Sequence, residues 1–426
     1  MWLHSKGIEV SGHGGNVELL ERCFDRLLID RRMIGMETQE HAIEIEQDRV
    51  VCHRRSVLVA NVYIAAVLSI APKQLRCSVA SVREMDSSSC SDDPLAVFLT
   101  EGCEEVYPGA VAAVGRSSGI DRAVAVGQRD ETDQMTRSTL FDVASLTKPV
   151  VTATVALGLM ECGRVAFSDE VRRYVPTVGP SVGNVRLVEL LTHSSGLQPY
   201  AFSEAWDSRE DVFAGLDDGI LASQPGTRHE YSCLNFVYAA EMLRRATDRS
   251  LGELAADFVF GPADMTESHL GPVDASNVAA TYDHTYRDRV LSGEIHDPLG
   301  WVMDGESGNA GLFTTVDDLA SFAQQYLSGD ALLSPATVGR LQDDWLPELD
   351  DRHSLGWRLG DGTYPSPNWS LSGLGHTGYT GTSMWLDHER DRFAILLTNQ
   401  VYDGKETGLI RFRERFYAMV AAGRFD

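Results

Sequence analysis

Ser145 and Lys148 place a hydroxyl and an amine three residues apart, inside the stretch Phe141-Asp-Val-Ala-Ser-Leu-Thr-Lys-Pro149. On a helix that spacing puts both groups on one face, where the amine can take or share the serine proton and the oxygen can attack an acyl carbon. Lysine is scarce in this chain: Lys6, Lys73, Lys148 and Lys405 are the only four in 426 residues. Arginine would stay protonated here and could not serve as a base. A lone Ser-x-x-Lys is a weak signal, since a chain of ordinary composition holds on the order of one such match by chance.

Two further elements follow in order, Tyr231-Ser232 ahead of an apolar helical stretch and Gly375-His376-Thr377-Gly378 at a strand edge. Taken singly, each residue has an ordinary structural reading. Ser145 could be a helix N-cap, Tyr231 a core aromatic with a bonded hydroxyl, and His376 a strand residue beside two glycines. Taken together, three such elements in order are far less often an accident. His193 and Ser195, in Thr192-His-Ser-Ser-Gly-Leu197, offer a rival Ser-His pair.

The elements that must position these groups emerge from about residue 91 onward. A helix is predicted from Leu95 to Gly102, then a hairpin of Gly109 to Gly115 and Arg122 to Gly127 around Ser117-Ser118-Gly119. Val150 to Cys162 reads as an apolar helix closed by Gly163, with Pro149 in its first turn, which sets Ser145 at the helix N-terminus. Helical segments are expected at Glu204 to Ala222, Asn235 to Thr247 and Leu251 to Val259, making residues of about 150–300 a helical insertion. Thr382 to Asp387 and Phe393 to Thr398 read as strands, and Thr407 to Ala421 as a closing helix. The expected class is therefore α/β, an antiparallel sheet with strands from both ends of the domain, flanked by helices. Residues 1–90 lack sustained periodicity and read as an N-terminal extension of unknown role. Their one apolar run, Ser56 to Ala71, sits too far from Met1 for a signal sequence and is short for a membrane span, so a buried strand or short helix is expected. A natural start at Met85 is a second reading, which mass spectrometry of the native N-terminus decides.

Composition excludes several function classes. The 62 acidic against 37 basic residues give a formal charge of −25, which repels nucleic-acid phosphates and anionic membranes. Abundant acid with scarce lysine also suits a salt-adapted, halophilic source. Seven cysteines (23, 52, 77, 90, 103, 162 and 233) form no Cys-x-x-Cys pair, so a reducing, cytoplasmic location is expected rather than a disulfide framework. The twelve histidines form no tight ligand pattern, and no metal or other cofactor is expected.

From about Asp92 to its end, the chain resembles the serine hydrolases related to class C β-lactamases, penicillin-binding D-alanyl peptidases and esterases on that scaffold. Beyond the three elements above, the resemblance rests on Leu190-Leu-Thr-His-Ser-Ser-Gly-Leu197, Gly293-Glu-Ile-His-Asp297, Asn309-Ala-Gly-Leu-Phe-Thr-Thr315 and Gly378-Tyr-Thr-Gly-Thr-Ser383. It implies a β-lactamase/transpeptidase-like fold and an acyl-enzyme formed on Ser145 from a small ester or amide. Lys148 and Tyr231 would titrate as a coupled pair that moves the proton, with Tyr231 relaying it to the leaving group and the incoming water. A neutral Lys148 amine requires its pKa to fall from about 10.4 toward 7, at roughly 4 to 5 kcal/mol. The oxyanion hole would be the amides of Ser145 and Tyr379, with His376, Gly378 and Cys233 lining the substrate site, and the His193 segment would be a structural turn.

Two departures bear on substrate. Cys233 stands where the family usually carries the asparagine of Tyr-x-Asn, and Asn235 could substitute only if the local backbone differs. His376 stands where β-lactamases and D-alanyl peptidases carry a lysine, so a fixed cation for a substrate carboxylate is replaced by a mostly neutral imidazole. Both favour an uncharged ester, a lactone or a different amide. The alternative is an acyl-binding or sensor module that keeps the pocket without turnover, or a pocket that serves a protein partner.

Overall fold

The chain divides into two units, Met1–Ser87 and Ser88–Asp426. The computed structural model describes residues 93–426 apart from 217–220, 330–331, 350 and 403–407, together with the backbone of two short antiparallel strands, Glu44–Glu46 and Arg49–Val51. The apolar run from Ser56 to Ala71 and the cysteines at 23, 52, 77 and 90 lie outside the described residues.

The second unit opens with α1 (Pro94–Glu105), whose start is fixed by the Asp93 carboxylate accepting from Leu95 N at 2.9 Å and by proline at the first helical position. The predicted hairpin follows as β1 (Gly109–Arg116) and β2 (Gly119–Gly127), with a register shift between Val114 and Gly115. A short sheet combines β3 (Phe141–Asp142), β4 (His269–Leu270) and β5 (Leu312–Thr314) in the order β3-β5-β4. Four strands from the end of the chain, β6 (Arg358–Leu359), β7 (Leu374–Thr377), β8 (Ser383–Asp387) and β9 (Arg392–Thr398), complete the main sheet. Its order is β6-β7-β8-β9-β1-β2, antiparallel throughout. Strands from both ends of the domain therefore meet at the β9 to β1 seam, where Leu397 opposes Val111 and Ile395 opposes Ala113.

Alternation along these central strands divides the core in two. Ala110, Ala112, Val114, Ala394 and Leu396 face α1 and the closing helix (Leu409–Ala421), against Phe98, Phe412, Phe416 and Tyr417. Val111, Ala113, Ile395 and Leu397 face the larger helical layer. Burial on both faces explains why these strands read as unbroken apolar runs rather than alternating ones.

The helical layer departs from expectation at its start. The run after Ser145 is not one α-helix: wide turns over Lys148–Ala153 precede α2 (Thr154–Glu161). Pro149 has no N–H to give, and Thr154 Oγ1 donates to Pro149 O at 2.9 Å, five residues back, which holds the widened turn. Of the segment expected as helix from Glu204 to Ala222, Arg209–Gly215 is helical, entered through the Ser208 cap and closed where Gly215 packs on the Trp206 ring. The helix expected from Asn235 begins two residues earlier, as α3 (Cys233–Thr247), while the one expected over Leu251 to Val259 is α-helical only to Ala255 before widening. Further on are α4 (Pro298–Val302), capped by Asp297, and α5 (Val316–Ser328), capped by Thr315.

Close packing also explains Gly375 in β7. A Cβ there would lie 2.0 Å from the fully buried ring of its strand partner Trp385. Gly375→Ala is therefore expected to lower stability by about 1–3 kcal/mol, read by denaturant unfolding, because a rigid buried ring must move. Unchanged stability would show that the ring yields freely.

Candidate active site

The candidate nucleophile is held by a strained turn. Ser145 lies in a single 3₁₀ turn, Ala144–Leu146, between β3 and the wide turns, and not at an α-helix N-terminus as the sequence predicts. Ala144 has φ of 47°, an unfavourable conformation for alanine that persists only where neighbours enforce it. The enforcers are visible. Asp142 Oδ1 accepts from Ala144 N at 2.8 Å, Thr147 Oγ1 donates to Ala144 O at 2.7 Å, and Thr147 Oγ1 in turn accepts from Leu312 N of β5 at 3.1 Å.

Lys148, fully buried, reaches back from the first wide turn. Its Nζ donates to Ser145 Oγ at 2.8 Å and to the Asn309 carbonyl at 2.9 Å, and lies 3.4 Å from Cys233 Sγ. The ammonium thus has three acceptors, one for each N–H. Tyr231 places its ring centroid 5.1 Å from the same nitrogen, with its phenol facing Lys148 and Ser145.

Tyr231 and Cys233 are delivered by the entry to α3, and the Thr192 to Leu197 turn clamps that entry. His193, at φ of 54°, accepts at Nδ1 from Ser232 N at 3.1 Å and from Asn235 Nδ2 at 2.9 Å, so its proton sits on Nε2. Its ring lies 4.5 Å from that of Tyr231. Ser195 Oγ donates to Asn235 Oδ1 and accepts from Leu197 N at 3.0 Å. His193 and Ser195 are therefore hydrogen-bonded to the start of α3 rather than to each other. Asn235 is buried among them, and does not take the position that Cys233 fills beside Lys148.

The third wall is the end of β7 and its loop. Thr380 Oγ1 donates to Asp142 O at 2.7 Å and Thr382 Oγ1 to Val143 O at 3.1 Å, locking this loop onto the residues just before the nucleophile. A Cβ on Gly378 would lie 2.3 Å from Val143 O, so only glycine allows the approach. Tyr379 is 67% exposed, and its ring lies 5.4 Å from that of His296. His296 N in turn donates to Asp142 Oδ2 at 2.7 Å. Asp142, Asn309, Thr380 and Thr382 thus hold the site together. The sequence showed the stretches that contain them, but backbone acceptors and clamping hydroxyls carry no residue-type signature.

The electrostatics reverse one expectation. Burial alone would favour a neutral Lys148, yet the adjoining Cys233 and Tyr231, with Asp297 beyond them, outweigh it and raise the amine to about 12. Lys148 is a cation at rest rather than a neutral base. Burial raises the Tyr231 phenol, opposed by the Lys148 charge. His376 is driven down to about 3 by burial and by Lys148, and its Nδ1 donates to Thr377 O at 2.8 Å, so it is neutral. Burial pushes Asp142 up to about 6 despite the His296 and Ala144 amides. Among the described residues, no group of His, Cys, Asp and Glu side chains is arranged to hold a metal ion, and Cys103, Cys162 and Cys233 are free thiols. No helix of the described residues is long and apolar enough to cross a membrane.

These shifts set a pH dependence of stability. Burial holds His193 and His353 well below the ordinary histidine value, and His376 lies near 3. Groups depressed on folding stabilise the protein above their unfolded value of about 6.5 and cease to as pH falls below it. Asp142, raised on folding, acts the other way between about 6 and 4, and Asp318 is raised as well, but burial also lowers His229, His296 and His388, so depressed imidazoles outnumber these raised buried carboxylates among the described residues. Thermal unfolding midpoints are expected to fall steadily from pH 7 to pH 5, and a midpoint that rises over that interval would contradict the buried neutral imidazoles.

Comparison with known proteins gives the family and the fold. The family described as Beta-lactamase matches residues 95–418. The N-acetylmuramyl-L-alanine amidase of Bacillus subtilis is 25% identical over 341 residues, covering 69% of this chain and 77% of the relative. Among solved structures, EstCE1, a hydrolase with promiscuous acyltransferase activity, superposes with a TM-score of 0.63 at 18% identity, covering 78% of this chain and 97% of the other. An octameric penicillin-binding protein homologue from Pyrococcus abyssi gives 0.62 at 20% identity, covering 77% and 76%.

Proposed function

The chain belongs to the Beta-lactamase family, and from that premise we propose that it is a serine hydrolase of uncharged esters that works through an acyl-enzyme on Ser145. The observation that carries this reading is the Lys148 ammonium 2.8 Å from Ser145 Oγ, with the Tyr231 phenol facing both. A cation cannot accept the serine proton, so the base is Tyr231 in its phenolate form, with Lys148 stabilising that charge. Ser145 Oγ gives its proton to Tyr231 Oη as it bonds to the acyl carbon. The resulting oxyanion is met by the amides of Ser145 and Tyr379. Collapse breaks the bond to the leaving alcohol, which takes the proton from Tyr231. Water then attacks the acyl carbon, passes a proton to Tyr231, and the acid departs as Ser145 is reprotonated.

Neutral His376 supports the substrate class. It supplies no charge for a carboxylate, and Cys233 supplies no amide for an acyl-amide group. The relatives named as amidase or penicillin-binding homologue therefore share the scaffold without fixing this substrate.

Short nitrophenyl esters, lactones, a penicillin and a D-alanyl amide should be compared at saturation. Turnover is expected for esters above all, and Ser145→Ala and Tyr231→Phe should each lower kcat by at least about 10²-fold. Because the activating deprotonation lies above neutrality for a raised Lys148 and Tyr231 pair, kcat/KM should climb from pH 6 into the alkaline range. Ester turnover that survives Ser145→Ala contradicts the reading. A stoichiometric burst without steady-state release would instead identify the non-turnover acyl-binding module, which Cys233 in place of an amide favours.

A further inference from the structure

Among the described residues, four large aromatic side chains are exposed: Tyr231, Tyr286, Trp301 and Tyr379. Tyr231 and Tyr379 belong to the site, and Trp301 and Tyr286 are linked to it through a strip of contacts and neighbouring residues. The strip begins at Tyr379, whose ring packs on His296. One residue on, Asp297 caps α4, and Trp301 N donates to Asp297 O at 2.8 Å, placing Trp301 one turn further along. The Arg287 guanidinium lies 5.1 Å from the centre of the Trp301 ring. Tyr286, beside Arg287, meets the Phe202 ring edge-on at 4.9 Å. Tyr200, two residues before Phe202, closes the circuit by donating from its hydroxyl to Asp297 Oδ2 at 3.2 Å.

Charge narrows what this strip can hold. Arg287 is engaged: its Nε donates to Asp283 Oδ2 at 2.6 Å, and its other nitrogens donate to Ile295 O at 2.9 Å and His296 O at 2.6 Å. Its guanidinium braces Trp301 from within the protein and is not offered to an anion. Asp283 and Arg287 neutralise each other, and Asp297 would repel a carboxylate or phosphate approaching along the same path. Flat rings left in water, held rigid by contacts behind them and flanked by acid, suit a neutral aromatic group that can stack.

We propose that Trp301 and Tyr286 form a specificity subsite for a neutral, flat aromatic group on one side of the ester. This rests on the acyl-serine reading above and names the substrate class of that site. The aromatic group can enter from the alcohol or from the acyl half, and the two are separated by substrate choice.

The test compares 2-naphthyl acetate, methyl 2-naphthylacetate and ethyl acetate against wild type, Trp301→Ala, Tyr286→Ala and Trp301→Phe. Neither aromatic side chain is part of the catalytic machinery. Loss of the stacking surface in Trp301→Ala is expected to raise KM about 5- to 20-fold for one of the two naphthyl esters at similar kcat, with Tyr286→Ala in the same direction. Ethyl acetate kcat/KM should stay within about twofold, and Trp301→Phe should restore most of the affinity. The naphthyl ester affected identifies the half that occupies the strip. Calorimetric binding of methyl 2-naphthyl ketone, which has the ring and carbonyl but no leaving group, should weaken by a similar factor in Trp301→Ala. That readout does not depend on turnover. Naphthyl KM values and ketone affinity that match wild type in both alanine variants would overturn the subsite, while loss of all ester turnover in the wild type would overturn the acyl-enzyme function and leave the ketone to decide this proposal.

Discussion

A desolvated cation, Lys148, organises the candidate site of this domain. Lys148 is fully buried, and its ammonium is tolerable there only because three acceptors surround it: Ser145 Oγ, the Asn309 carbonyl and Cys233 Sγ. The three come from the nucleophile turn, the segment before β5 and the first turn of α3, so the charge can be satisfied only when these parts are assembled together. Removing any of them leaves a buried cation short of a partner, which costs more than an ordinary lost hydrogen bond. The same arrangement that makes the cation affordable aims it at Ser145 and Tyr231.

The surrounding scaffold serves that geometry by tying its pieces to one another. Ala144 is held at positive φ from below by Asp142 and Thr147, and the loop carrying Tyr379 is pinned to Asp142 and Val143 by Thr380 and Thr382. On the far side, His193 and Asn235 fix the start of α3. Asp142 and Thr147 act on Ala144 from nearby in sequence, but both are tied to distant segments, through His296 N and Leu312 N, so local strain at this turn is borne by tertiary contacts.

Much of this was legible in the chain itself. Ser145, Lys148, Tyr231 and His376 stand out as three elements in order rather than singly, Cys233 stands out through the resemblance, and the central strands announce themselves as apolar runs bounded by glycine. What the sequence hides is of a different kind. The Asn309 carbonyl is a backbone atom, and the destination of the Asn235 amide depends on where α3 begins. The direction of the Lys148 shift depends on neighbours that only the fold brings within reach, since Cys233 and Tyr231 outweigh burial and raise the amine. The α-helix expected after Ser145 failed for a local reason, since Pro149 and the Thr154 hydroxyl favour a wider turn.

The central claim is that chemistry passes through a covalent bond to Ser145. Its most direct measurement is acid quenching of the wild-type protein during turnover of a short nitrophenyl ester, followed by digestion and tandem mass spectrometry of the peptides. The account predicts an acyl group on the Ser145 peptide, localised to that hydroxyl and formed fast enough to lie on the path of hydrolysis. Steady hydrolysis with Ser145 unmodified, or with the acyl group on Cys233 or another residue, would contradict it.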